Sequence, residues 1–311
     1  MRAKIWLHAA IVLAVATAGA RILPAQTAPA KKKAAAAWHD CGHGVSLRLT
    51  SPTAAQGSLL EVELHSAGPL EDLKAEWAGH ELPLWPDAKS KNLQRTLLGV
   101  DLELAPGKYD LKLTAKLPGG EPFTCSVSLP VKAGKFAVEK LTVAKHFVEP
   151  NPEEVARANQ ERQHLREIFA TVTPERLWRG RFRAPLDGAR NAKNFGRRRV
   201  LNGEPGSPHT GVDFPAPAGT PIHAAQRGRV VLAEELFFSG KTVVIDHGLG
   251  VYTFYGHMDS VAVFAGDSVE KGALLGKVGA TGRVTGPHLH WGLTVNQARV
   301  NPLQILSLPL S

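Results

Sequence analysis

The sequence predicts a mainly β chain, two β domains joined by a helix, and three observations carry that expectation. Thirty glycines and 22 prolines in 311 residues set turns close together, as short strands require and long helices do not tolerate. From about residue 44 onward most of the chain alternates apolar and polar residues over short stretches, the period-two signature of half-buried strands. Helical periodicity is confined to one segment, FVEPNPEEVARANQERQHLREIFATV at 147–172. The length favours two domains over one, and 43% hydrophobic with 21% charged residues is the composition of a chain with a packed core.

The first element is a leader. MRAKIWLHAAIVLAVATAGARILPAQ begins with basic Arg2 and Lys4, continues apolar from about Ile5 to Ala20, and then offers small residues suited to a signal peptidase. Cleavage after Ala20 or Ala25 fits, and the boundary is set after Ala25, giving a signal peptide at 1–25. The apolar run is short for a bilayer span, which needs about 20 residues, and His8 interrupts it, so export outweighs a retained anchor. No later segment is apolar enough to span, and no stable membrane span is expected once the leader is removed. Residues 26–43 start with QTAPAKKKAAAA, a composition that forms no core, and are expected to be disordered. Cys41 and Cys125 are the only cysteines. In an exported chain such a pair points to one disulfide closing a long loop.

Residues 44–134 contain VSLRLT, LLEVELHS, LKAEWAG, VDLELAPGKYDLKLTAKL and FTCSVSLPVKA. Short alternating runs at regular spacing suggest an immunoglobulin-like β-sandwich. No cluster of His, Asp, Glu or Cys with catalytic spacing occurs there, which suits an accessory module: a wall-targeting unit, a cover over a groove, or a spacer. Residues 135–193 form a helical, basic linker. Asn151 is placed to cap the helix, Pro152 fits its first turn, and Glu153 and Glu154 suit the positive end of its dipole. Leu165, Ile168 and Phe169 make an apolar seam for packing on a neighbour. Arginines 176, 179, 181, 183, 190, 197, 198 and 199 with Lys193 concentrate positive charge in one stretch from the end of this linker into the next domain, within a formal net charge of +9. Such runs are usually solvated faces, and the sign favours an anionic polymer or headgroup surface. Export leaves nucleic acid the poorest candidate.

The last domain, 194–311, is glycine-rich and antiparallel in pattern: GTPIHAAQRGRVVLAEEL, GKTVVIDHGLGVYTFYGHM, AGDSVEKGALLGKVGATG and PHLHWGLTV. Its metal-capable residues fall in four pieces. In HTGVD, His209 and Asp213 share a face of an extended chain. GHM places His257 at a strand end, PHLHW supplies His288 and His290 on one strand face, and IDHG supplies Asp246 and His247. A zinc hydrolase needs three imidazole or carboxylate ligands and an open position. His209, Asp213 and one His of the HxH pair make such a set, and no HExxH motif provides a glutamate base. Each piece alone is weak; their co-occurrence in one β domain of an exported chain is what points to chemistry.

Residues from about Asn194 to Pro302 resemble the catalytic domain of lysostaphin- and LytM-type peptidoglycan endopeptidases, whose fold is described as a duplicated hybrid motif. The resemblance runs through FG at 195–196, HTGVDFPAPAGTPIHAAQRGRV, VVIDHGLGVYTFYGHM, GDSVEKGALLGKVGATGRVTGPHLHW and VNP at 300–302. It implies zinc (Zn2+) held by His209, Asp213 and His290, with His257 and His288 as the catalytic pair that activates the metal's water and stabilises the oxyanion. The implied function is that of a secreted zinc metalloendopeptidase cutting peptide cross-links of peptidoglycan, in a periplasm or at a cell wall. Relatives that have lost ligands bind and activate a cell-wall amidase instead; all five positions are filled here. A protease acting on Gly-rich exported proteins would use the same site. Some family members carry a tyrosine shortly before the first ligand histidine, and LNGEPGSP at 201–208 has none. Tyr252 and Tyr255 are the tyrosines that could substitute. Asp246 and His247 read as structural turn residues, and Trp291 as a core residue pointing away from His290.

Overall fold

The computed structural model describes residues 37–189, 191–308 and 310. The signal-peptide assignment and the leader as far as residue 36 lie outside the described residues.

Two five-stranded sheets face each other in the first half. One contains His39–Gly42, Val45–Leu49, Leu59–Ser66, Leu93–Gly99 and Trp85–Pro86; the other contains Ala54–Ala55, Pro122–Lys132, Gly107–Lys116, Glu71–Trp77 and His80–Leu82. The alternation read in the sequence is the cause. In Val45–Leu49 the odd residues are buried and the even ones only half-buried, and Leu111, Leu113 and Ala115 face the same core as Leu47, Leu64 and Leu98. His39–Gly42 lies inside the stretch that composition assigned to the disordered leader. Its anchor is a disulfide from Cys41 to Cys125 on the facing sheet, Cα to Cα 5.6 Å. A crosslink to a central strand gives a short polar segment an attachment that its own side chains could not provide.

Pro152–Ala170 is the one α-helix among the described residues, and its first turn is built as the sequence predicts. Asn151 accepts from the Glu154 backbone while the Glu154 carboxylate accepts from the Asn151 backbone, and Pro152 occupies the first helical position. Leu165, Ile168 and Phe169 pack on Leu232, Leu236, Val244 and Tyr252 of the second β unit. The rest of the expected linker is also integrated. Val138–Leu141 pairs in parallel with Arg198–Leu201, and Trp178, Phe182 and Leu186 are buried in the second unit's core.

That second unit is a nine-stranded sheet whose strand pairings are all antiparallel. Its central path runs Gly211–Pro215, His288–Val295, Val251–Val261, Gly240–Asp246, Gly228–Leu236 and Ser268–Val269. The two β units share a seam. Leu59, Trp85 and Leu97 of the first belong to one cluster with Trp178, Val295, Ala298 and Val300. Around this seam Asp101 accepts from Arg299 at 2.7 Å, the Asn296 side chain donates to the Leu97 carbonyl at 3.0 Å, and Gln304 accepts from the Leu59 backbone at 2.8 Å. Gly99 sits where a Cβ would stand 2.8 Å from the Ala298 methyl and 2.9 Å from the Val295 carbonyl, so the units approach at backbone distance.

Asp246 and His247 serve the turn as expected. Asp246 accepts from Gly248 and Thr173, while His247 contacts the Arg227 carbonyl and Thr253. Burial pushes His247 down to about 4. The unfolded chain takes up a proton below about pH 6.5 that the fold withholds, so stability that is complete above 6.5 falls as pH drops toward 4. The loss across that window is roughly 3 kcal/mol, and a His247→Gln variant should show a flatter decline in urea melts between pH 6.5 and 4.5. Replacing Cys41 and Cys125 with serine reopens a loop 84 residues long and should cost about 2–4 kcal/mol in the same assay.

Candidate metal centre and groove

The register of two strands assembles the site. Gly211–Pro215 pairs antiparallel with His288–Val295 so that Asp213 lies opposite His290 and Pro215 opposite His288. His209 enters from the extended residues just before the first strand. Leu289 and Trp291 alternate to the other face, where both are fully buried, with Trp291 stacked on Phe214. His288 and His290 therefore project together above a fixed core, and Trp291 points away from them.

Three atoms converge. His209 Nε2 lies 2.9 Å from Asp213 Oδ1 and 3.0 Å from His290 Nδ1, and His290 Nδ1 lies 2.7 Å from the same Oδ1. His209 is 1% exposed and His290 8%, whereas the Asp213 side chain keeps 18%, so the cluster opens on one side only. Two imidazole nitrogens and a carboxylate oxygen, with one side left open, are a donor set that fits a zinc-type ion. Burial alone would raise the Asp213 carboxyl, but bonds from His209 and His290 hold it well below the usual carboxylate range. Burial pushes His290 down to about 4, against the pull of Asp213, leaving the neutral imidazole that ligation requires.

Two of the three groups are held from behind. His209 Nδ1 contacts the Asn194 carbonyl at 2.7 Å, which directs Nε2 into the cluster. The Asn194 side chain clamps the Asp213 backbone, accepting from its N–H at 3.2 Å and donating to its carbonyl at 3.0 Å. Arg199 donates to Asp213 Oδ2 at 2.8 Å, so that only Oδ1 turns toward the histidines. Glu139, on the strand that follows the sandwich, in turn faces Arg199 at 3.7 Å and bonds Arg197. A Cβ at Gly211 would stand 2.4 Å from the Trp291 carbonyl and 2.8 Å from the His290 ring, which explains why the HTGVD segment carries glycine there.

His257 and His288 complete the arrangement. Their ring centroids lie 4.8 Å apart, and His257 lies 6.0 Å from His290. His288 Nδ1 contacts the Gly286 carbonyl and His257 Nδ1 the Thr281 carbonyl, both at 2.8 Å, leaving Nε2 free on each ring. His288 Nε2 is 3.7 Å from Asp213 Oδ1. His257 does not end its strand, contrary to the sequence expectation. It sits inside Val251–Val261 at a bulge, where two residues of this strand oppose one of Gly240–Asp246, and its φ is +61°. A buried non-glycine residue in that region is strained, and the bulge re-aims its side chain. Burial, reinforced by His290 and His288, pushes His257 down to about 3.

Tyr252 and Tyr255 do not enter the site. The first donates to the Thr171 carbonyl and the second accepts from the Ala225 backbone. A groove of about 290 Å³ passes Asp213, His257 and His288 between the turn 283–288 and Glu139, Leu141 and Arg199. Sequence reading missed Asn194, Arg199 and Glu139. Arg199 was counted among a solvated run of charges, yet its side chain is only 17% exposed and bonds Asp213.

Part of the chain is similar to known proteins. Residues 207–302 match Peptidase family M23. The chain is 42% identical over 122 residues to the peptidoglycan DD-endopeptidase ShyC of Vibrio cholerae, covering 39% of this chain and 28% of that protein. It is 40% identical over 97 residues to the DD-carboxypeptidase/endopeptidase Mpg of Neisseria meningitidis, covering 31% and 22%. The chain thus spans less than a third of the length of these curated relatives. A solved peptidase M23 chain from Pseudomonas aeruginosa superposes with a TM-score of 0.62 at 29% identity, over 82% of this chain and 95% of that one.

Removing the brace behind Asp213 frees the carboxylate to rotate. An Arg199→Ala variant should therefore bind Zn2+ about 10- to 100-fold more weakly, measured by competition with a chromophoric chelator, while its melting temperature shifts little.

Proposed function

We propose, from the premise that residues 207–302 form a peptidase family M23 domain, that the chain is an exported zinc endopeptidase that hydrolyses peptide cross-links of peptidoglycan. The observation that carries this reading is the convergence of His209 Nε2, Asp213 Oδ1 and His290 Nδ1 within 3.0 Å beside two further histidines that line a groove. His209, Asp213 and His290 would hold the ion. When bound, zinc supplies a Lewis acid that makes water acidic and polarises a carbonyl.

The chain's own residues do the rest. An extended peptide lies along the groove with its scissile carbonyl beside Asp213. The carbonyls of Thr281 and Gly286 each take an Nδ1–H, so His257 and His288 present Nε2 as proton acceptors. A proton removed from attacking water at either Nε2 turns that nitrogen into a donor. It can then stabilise the developing oxyanion or return the proton to the leaving amine. The burial that keeps His257 neutral supports its starting state. Peptidoglycan as the substrate is supported by the names of ShyC and Mpg, and such a substrate places the chain in a periplasm or at a cell wall. The excess of positive charge suits an anionic wall.

An Asp213→Ala variant should lose bound zinc, which elemental analysis reads directly. A His257→Ala variant should keep its zinc and lose hydrolysis by about 10²–10⁴-fold; full activity in that variant would remove His257 from the mechanism. Digestion of sacculi followed by mass spectrometry should release peptides with new amino termini within stems or bridges. Release of intact stems from glycan would mean an amidase, and no product would mean a binding module.

A further inference from the structure

Two guanidinium groups line the groove, and among the described residues only one has an anionic partner. Arg199 bonds Asp213 Oδ2 and faces Glu139. Arg283 also lines it, at the start of the turn that leads to His288. Its backbone N–H donates to the Phe238 carbonyl, and its guanidinium lies 4.5 Å from the centroid of the Phe238 ring. Among the described residues no carboxylate bonds it, and the one charge acting on it is the like charge of Arg199. Burial, with Arg199 adding to it, pushes the group down to about 10, so it remains a cation at neutral pH.

A ring face satisfies one side of a guanidinium but none of its five N–H donors. A partly buried cation whose edge meets a groove beside the reacting groups, with no acid of its own, is an electrostatic deficit that a ligand can fill. The planar fork matches a carboxylate in particular. Arg199 is already neutralised by Asp213 and Glu139, so the attraction for an entering anion comes from Arg283.

We infer that Arg283 forms a carboxylate subsite next to the catalytic histidines, and that the chain selects peptides bearing a free carboxylate close to the scissile bond. The inference rests on the endopeptidase reading above and narrows its substrate class. A cross-link made to a diaminodicarboxylic acid leaves free the carboxylate on the same carbon as the acylated amine, next to the scissile amide, whereas a polyglycine bridge carries no charge. The geometry favours the first kind.

The test uses a synthetic cross-linked stem-peptide dimer in two forms, with the acceptor carboxylate beside the cross-linking amine free or amidated. The full chain loaded with zinc should cleave the acid form with kcat/KM about 10- to 100-fold above the amide. Arg283→Gln should abolish the preference, bringing the two forms to equal kcat/KM, and leave zinc content unchanged. Arg283→Lys, which keeps the charge and loses the fork, should recover part of the preference. Equal cleavage of both forms by the unmodified chain, or an equal loss on both in Arg283→Gln, would overturn the subsite. Calorimetric binding of the two dimers to the His257→Ala chain separates the two levels of inference. If neither dimer is hydrolysed by the unmodified chain, the endopeptidase reading falls, and the subsite stands only if the acid form still binds more tightly in an Arg283-dependent way.

Discussion

Everything at this site depends on one strand register. Asp213 and His290 face each other across an antiparallel ladder, and a slip of one residue in either strand would send that strand's member to the opposite face of the sheet. The register is fixed from below, because Val212, Phe214, Leu289 and Trp291 alternate into the core with almost no exposure. Burial of apolar side chains on one face thus sets the position of polar ones on the other. Asn194 and Arg199 then add the angular control that a strand alone does not provide, one gripping the backbone of Asp213 and the other its outer oxygen.

The second pair of histidines is placed by a different device. Regular strand geometry would not turn His257 toward His288, and a bulge with left-handed backbone at a buried, non-glycine residue does so. Such a conformation persists only where surrounding bonds over-determine it. Here the His257 N–H donates to the Ser239 carbonyl, its ring contacts the Thr281 carbonyl, and the Gly279 N–H donates to the His257 carbonyl. Strain in the fold and aim at the groove have one structural origin.

How much of this could be read in advance follows from the type of signal. His209, Asp213, His257, His288 and His290 were legible because few residue types ligate metals or move protons, and their spacing on strands is countable. The helix start at Asn151 was legible because capping is local chemistry. Asn194 and Arg199 were not, since an Asn or an Arg acquires its meaning only from what approaches it, and Asp213 lies 19 and 14 residues away from them. Glu139 was further out of reach: its partner Arg197 is 58 residues on and belongs to another strand. The bulge left no trace in GHM, because a strained histidine looks like any other. The alternation of LLEVELHS, which begins at Leu59, announced a buried face without saying that part of it would be covered by the second β unit.

That shared seam bears on how the chain can be inherited. Modules that recombine freely meet through polar linkers, each with its own finished surface. Here the two β units meet at backbone distance over Gly99, and each leaves apolar side chains for the other to cover. A lineage that exchanged the sandwich for an unrelated domain would expose Val295, Ala298 and Val300, on or beside the very strand that carries His288 and His290. The accessory unit and the histidine-bearing sheet are therefore expected to descend together, as a single heritable piece.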